Sequence, residues 1–367
     1  MTRRPWLAAV LLLIFAAGAA AQGISSSTAY YEGQAGWTAV RDGRHQDAAT
    51  HFAAALAADP RDPSLHLGAG TAAFLLGQLQ DAQQSLERAL AMAPQLTPAS
   101  LMLGDILTRS NDTAAAVQVL EAALKYAPGY KTLLVRLERV RLESELHANF
   151  FQSQGAHFTV LFEGPADEEL ARRAIEVLEA AYWRVGTAML TFPERVIPVV
   201  LYTEQQFSDI TRSPSWAAAA YDGRIKVPVR GALENPEELD RVLTHEFTHA
   251  LVQSIAPRNV PAWLNEGLAV YFEPQGPAWM DAQLASSNYR MPLQKLAGGF
   301  GGLTGGRARM AYAQSGAAVR SLMEQAGPQA MTGLLLDLGR GEKFETAFEQ
   351  RMLQPYESFA ASLDPSR

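Results

Sequence analysis

The sequence contains no cysteine among its 367 residues. Disulfides are therefore excluded, as is lipidation of a mature N-terminal cysteine. Any metal site must be built from imidazoles and carboxylates instead of thiolates. Histidine is scarce as well, with seven in the chain, so a pair at ligand spacing carries weight. Basic residues are in the minority: 31 Lys and Arg against 38 Asp and Glu give a formal net charge of −7. That balance argues against a nucleic-acid surface. Charged residues amount to 19% and hydrophobic residues to 48%, the proportions of a folded chain and not of a disordered one. Past the N-terminal segment no apolar run approaches the roughly 20 residues needed to span a bilayer. The length is enough for two ordinary domains.

The N-terminal segment has its own signature. Met1-Thr2-Arg3-Arg4 is a short positive stretch, an apolar run follows from Trp6 to Ala17, and Ala19-Ala20-Ala21 precede Gln22. This order predicts a secretory signal peptide over residues 1–21, cleaved after Ala21. No stable membrane span is expected once it is removed. Its alanine-rich style suits a bacterial periplasmic or secreted protein.

What dominates the first third is a repeat. Gly43 recurs as Gly77 and Asn111, Ala48 as Ala82 and Ala116, Phe52 as Leu86 and Leu120, Leu56 as Leu90 and Leu124, and Pro60 as Pro94 and Pro128. The period is 34 residues throughout. Each unit holds two helical patterns split at Gly43, Gly77 or Asn111, residue types that accept the left-handed conformation of a helix C-terminus. Small alanines let paired helices approach. This pattern resembles the tetratricopeptide repeat, over about residues 29–128 in three units. The resemblance implies an all-α solenoid whose concave face recruits a protein or peptide partner. Residues 129–150, with a charged amphipathic helix at Lys131 to Leu146, are expected to cap the solenoid and lead onward.

From His157 the periodicity changes. His157 to Phe162 alternates like a strand, Asp167 to Met189 reads as a long helix, and Ile197 to Tyr202 and Arg224 to Val227 are further strand candidates. After Asn235 the pattern is helical almost to the end. Residues 151–367 therefore read as an α+β domain.

The chemistry lies in Thr244-His245-Glu246-Phe247-Thr248-His249-Ala250. Asn235 has the character of an N-cap, Pro236 suits the first helical position, and Glu238 completes a capping box. The predicted helix runs to about Ser254. Residues four apart share a helix face, so His245 and His249 can converge on one ion. Glu246 is offset by one position and can instead take a proton from a metal-bound water. A catalytic zinc needs three protein ligands and an open position. Glu266 supplies the third from a second helix that begins at Pro261, after the turn from Pro257.

His245-Glu246-Phe247-Thr248-His249 followed by Asn265-Glu266-Gly267-Leu268-Ala269 resembles the gluzincin peptidases, most closely the peptidase MA-like group related to the zinc aminopeptidases. The resemblance implies a thermolysin-like fold, one zinc ion held by His245, His249 and Glu266, and peptide-bond hydrolysis with Glu246 as general base. The thermolysin branch has Asp four residues after the ligand Glu. Val270 stands there instead, which points away from that branch and leaves the partner of the ligands unidentified. Tyr312-Ala313-Gln314-Ser315-Gly316-Ala317 resembles the family segment whose tyrosine steadies the oxyanion, with the glycine displaced by one residue. The family also holds substrate backbone on an edge strand, which corresponds here to Ala220–Val227 and assigns substrate binding to Gly223 and Ile225. Only Asp222 is acidic in that segment, where aminopeptidases have a glutamate, so aminopeptidase specificity is not implied. The glycine-rich stretch at Gly298–Gly302 and Gly305-Gly306 reads as a flexible, lid-like loop. His45, His51, His66, His147 and His157 show no ligand spacing.

Two functions compete on these grounds. One is an active zinc peptidase with a recruiting repeat domain, acting on a peptide or protein. The other is a catalytically inactive zinc-binding scaffold of the cell envelope that acts through its repeats. Survival of Glu246 favours the first.

Overall fold

A computed structural model describes residues 27–211, 220–228, 235–303 and 305–363. The expected signal peptide and its cleavage site lie outside these residues. The described chain divides into two compact units, one reaching Leu103 and including Ala122–Tyr130, the other comprising Gly104–Glu121 and everything from Lys131 onward.

The repeat region is all helical: α1 (27–41), α2 (His45–Ala58), α3 (Pro63–Leu75), α4 (Leu79–Met92), α5 (Thr97–Arg109) and α6 (Thr113–Leu124). The turn residues do what their identity suggested. Gly43 and Gly77 have φ of +76° and Asn111 has φ of +63°, so the same left-handed turn recurs every 34 residues. Phe52, Leu86 and Leu120 are fully buried, as are Ala48, Ala82 and Ala116. A further periodic column was not anticipated. Gly36 faces Phe52, Gly70 faces Leu86 and Gly104 faces Leu120, each so closely that a Cβ would collide or nearly so. In each unit a large side chain of the second helix seats on a bare patch of the first.

The second unit contains α7 (Lys131–His147), α8 (Glu168–Ala188), α9 (Glu204–Thr211), and the helices α10 (Pro236–Ile255), α11 (Ala262–Phe272), α12 (Gly276–Ala285), α13 (Gly305–Gly339), α14 (Phe344–Met352) and α15 (Tyr356–Ser362). Its strands are β1 (Phe151–Gln154), β2 (Phe158–Phe162), β3 (Ile197–Tyr202), β4 (Ala220–Tyr221) and β5 (Ile225–Pro228). They form one sheet in the order β1-β2-β3-β5-β4. The central strands β2, β3 and β5 are parallel, and β1 and β4 join antiparallel at the two edges.

The central strands read as nearly unbroken apolar runs because both sheet faces are covered. Phe158, Val160, Ile197, Val199 and Ile225 pack on one face with α8, α10 and α11. Leu161, Val200 and Tyr202 pack on the other with Phe207 and Ile210 of α9. The sheet and α8 thus support α10, and α10 carries His245, Glu246 and His249. α13 is broken at Gly327, which has φ of +78° just before Pro328. Its first half packs on α11.

Candidate metal centre

α10 begins as its sequence suggested. Asn235 accepts a hydrogen bond from the Glu238 backbone N–H at 3.2 Å, with Pro236 at the first helical position. The capping box is only half formed, because the Glu238 carboxylate turns to Arg241 and not back to the cap. One face of α10 then presents Glu238, Arg241, His245 and His249 in successive turns.

The structure gathers the three expected ligands. Their donor atoms all lie within 4.8 Å of one another. Glu266 Oε2 stands 3.4 Å from His245 Nε2 and 3.5 Å from His249 Nε2. These are loose distances for hydrogen bonds, and that oxygen has no better partner among the described residues. The two imidazole rings are 4.7 Å apart and nearly perpendicular, at 87°. No other group of His, Cys, Asp or Glu with ligand geometry occurs among the described residues. The triad lines a cavity of about 400 Å³ with Glu246, Tyr221, Asn265 and Tyr312.

The donor set suits a cation. Glu246, Glu266 and Glu273 put three carboxylates around two imidazoles in a largely buried site. Burial opposes the charged form of His245, but its contacts with Glu266 and Glu273 outweigh this and hold its pKa up at about 10. Burial pushes the Glu246 carboxyl upward, against the pull of His249 and His245. Burial acts the same way on Glu266, but the two histidines prevail and hold that carboxyl below the usual range. Glu246 Oε2 is buried without a partner, and its carboxylate faces the cavity. Unsatisfied acceptors converging on one point call for a positive ligand.

The residue that orients the first histidine was not found from the sequence. His245 Nδ1–H donates to Glu273 Oε1 at 2.6 Å. With an ion bound, the ring would be neutral and would present its Nε2 lone pair to the triad's centre. Glu273 caps the C-terminus of α11, seven residues and two turns beyond Glu266. It stands at i+7 from Glu266, whereas Val270 holds the i+4 position that the family pattern points to. Arg241 also donates to Glu273 Oε1, at 3.2 Å. Arg184 of α8 donates to Thr244 Oγ1 at 3.1 Å and to the Phe272 carbonyl at 3.3 Å, tying the end of α11 to the ligand-bearing turn of α10.

Tyr312 reaches the same cavity from α13. Its ring centroid is 6.4 Å from that of His245. Burial and the neighbouring carboxylates raise the phenol's pKa, so it stays protonated as a donor at neutral pH. α13 comes this close because Gly267 has no side chain: a Cβ there would press into the Ser315 carbonyl. The glycine-rich stretch, expected as a lid-like loop, has exposed glycines with open space around them, and one residue of it meets the site. Phe300 is buried edge-to-face on Tyr312 at 5.1 Å, and Gln314 clasps the Met291 backbone N–H and C=O at 3.0 and 3.1 Å.

The two expected substrate-binding residues lie elsewhere. Ile225 is fully buried in the core and its strand is paired on both sides, with β3 and β4. Its backbone is therefore not open to a peptide. Gly223 has φ of +107° and packs against the Arg109 methylenes. Among the described strands the outer position next to the cavity belongs to β4, which contributes Tyr221.

Residues 191–352 match the Peptidase MA superfamily, and residues 34–97 and 73–137 match tetratricopeptide repeat families. The chain joins tetratricopeptide repeats to a peptidase MA superfamily domain. No curated protein matches it. The peptidase MA match spans α10, α11 and the Tyr312-bearing part of α13, and so includes every residue of the cavity's ligand cluster. The repeat matches cover the helices whose turns recur at Gly43, Gly77 and Asn111. No helix of the described residues is long and apolar enough to cross a membrane.

Proposed function

We propose that the protein is an exported zinc peptidase, periplasmic or secreted, whose repeats recruit a protein or peptide. The observation that carries this reading is the convergence of the half-buried His245, His249 and Glu266 on one point, beside the unpartnered Glu246 Oε2 in the same cavity. His245, His249 and Glu266 are the residues that would hold the ion. When bound, zinc supplies Lewis acidity, polarising the scissile carbonyl and making water acidic enough to deprotonate near neutral pH.

The rest of the chemistry falls to the chain's own side chains. Glu246 accepts a proton from the attacking water as its oxygen bonds to the carbonyl carbon. The same carboxyl then delivers that proton to the leaving amine as the C–N bond breaks, so water is consumed and no other reagent is needed. Burial favours this, because it raises the carboxylate's basicity. Tyr312 O–H donates to the oxygen on which negative charge develops.

The test is purification of the chain, metal analysis, and a broad peptide-library cleavage assay with Glu246→Gln as control. The expected result is one zinc per chain, hydrolysis by the wild type, and a variant that keeps zinc without turnover. Stoichiometric zinc retained by His249→Ala would remove the site. Zinc without hydrolysis of any peptide would return the scaffold reading.

A further inference from the structure

We infer that Arg241 is a positioning residue of the metal centre, holding His245 in place through Glu273. This rests on the zinc reading above. Arg241 stands four residues before His245, on the same face of α10. One edge of its guanidinium engages Glu238, with Nε at 2.8 Å and Nη2 at 2.6 Å. The remaining nitrogen, Nη1, reaches Glu273 Oε1 at 3.2 Å, the same oxygen that receives the His245 Nδ1–H at 2.6 Å. The result is a hydrogen-bonded chain: Glu238, Arg241, Glu273, His245.

Glu273 needs such support. It is buried, with 5% of its side chain exposed. It also sits at the C-terminal end of α11, where the helix carbonyls repel a carboxylate. Neither circumstance holds the carboxylate against His245 by itself. Arg241 supplies a compensating charge and, because the guanidinium is planar and already locked by Glu238, a fixed direction for it. A lysine at this position would keep the charge but could not span both carboxylates with two edges of one group.

Charge and positioning predict opposite signs. Removing a cation near a metal site tightens metal binding by charge alone. Removing the support of a ligand's partner weakens it, by about 10- to 100-fold for partners of this kind.

The full chain would be prepared metal-free as wild type, Arg241→Lys, Arg241→Met, Glu273→Gln and the Arg241→Lys/Glu273→Gln double variant. Zinc affinity is measured by competition with a chelator of known affinity, and thermal unfolding of each metal-free protein is followed in parallel. Arg241→Lys is expected to weaken zinc about 10-fold with its charge intact, and Arg241→Met at least as much. In the Glu273→Gln background, Arg241→Lys is expected to have no further effect. Wild-type affinity in Arg241→Lys, tighter binding in Arg241→Met, or losses that multiply in the double variant would each overturn the role. So would a fall in metal-free melting temperature that persists in the Glu273→Gln background. A wild type that binds no zinc sinks the metal reading along with this one. A wild type that binds zinc beside an unaffected Arg241→Lys sinks this inference alone.

Discussion

The Glu273 carboxylate lies 2.6 Å from His245 Nδ1, although 28 residues separate the two in the chain. Val270, at the position four beyond Glu266, faces α13 instead and contacts the space over Gly316. The orienting carboxylate has thus moved one turn along α11. Glu273→Ala should weaken zinc binding by about 10- to 100-fold. Adding Val270→Asp should not restore it, because the new carboxylate would point into the α11–α13 interface and destabilise the fold. Chelator competition and thermal unfolding of the single and double variants check both statements.

Tyr312→Phe removes one hydrogen bond that strengthens as charge develops on the carbonyl oxygen. Loss of such a donor costs roughly 10²–10³ in kcat, or about 2.7–4 kcal/mol. KM and zinc content should be nearly unchanged, since the interaction belongs to the transition state and the ring still packs on Phe300. Near-normal kcat in zinc-loaded Tyr312→Phe would rule out a catalytic role and leave the ring as a packing element.

Gly267→Ala tests the contact that brings α13 to the site. A methyl group there meets the Ser315 carbonyl oxygen and Val319, so α11 and α13 must separate. Overpacking of this kind costs about 1–3 kcal/mol, against which the helix preference of alanine returns about 1 kcal/mol. The melting temperature should fall. Because Ser315 is three residues from Tyr312, kcat should fall as well, by up to about 100-fold, with zinc retained. An unchanged kcat would mean that the Tyr312 position tolerates the shift.

The buried charges behind β5 make a pH prediction. Arg224 is fully buried, and Glu143 of α7 pairs with it at 2.9 Å and with Lys226 at 3.3 Å. Burial works to raise the Glu143 carboxyl, but Arg224 and Lys226 outweigh it and lower its pKa from 4.5 to about 2. Because the folded value lies below the unfolded one, this stabilisation is complete above about pH 4.5 and is lost as pH falls toward 2. At about 1.4 kcal/mol per pKa unit it is on the order of 3 kcal/mol. His147 acts in the same direction at higher pH: burial lowers it from 6.5 to about 4, so the unfolded chain takes the proton first. Glu143→Gln should cost about 3 kcal/mol at pH 7, because buried Arg224 keeps only the more distant Asp222 at 3.8 Å while Lys226 keeps Asp222 at 2.9 Å. Its deficit against wild type should shrink between about pH 4.5 and 2 in denaturant titrations. A deficit that is constant across that range would show that the pair carries no pH-linked stability.

Both domain types and the triad were legible before any fold was known, because their signals are local. The turns at Gly43, Gly77 and Asn111 repeat at a fixed interval, and each residue's own backbone preference explains its turn. His245 and His249 are four apart on a helix, so helical geometry alone puts them on one face. Glu266 was reachable because a catalytic zinc needs a third ligand and a second helix followed closely.

Other features depended on how distant segments meet. Glu273 becomes a partner of His245 only through the crossing of α11 over α10, and Arg241 joins it for the same reason. Ile225 was assigned to an open edge, but strand order is a tertiary property: β4 pairs outside β5 and leaves Ile225 between two neighbours. The bond from Glu143 to Arg224 spans 81 residues and unites α7 with the sheet, which no periodicity in either segment announces. The sequence by itself determined the repeat and the spacing that sets His245 and His249 on one helix face, since these follow from periods of 34 and 3.6 residues. The tertiary structure alone decided which carboxylate steadies the first histidine, which strand borders the cavity and what closes α13 onto the site. Those outcomes are set by helix crossing and strand order, which arise from the packing of the whole core.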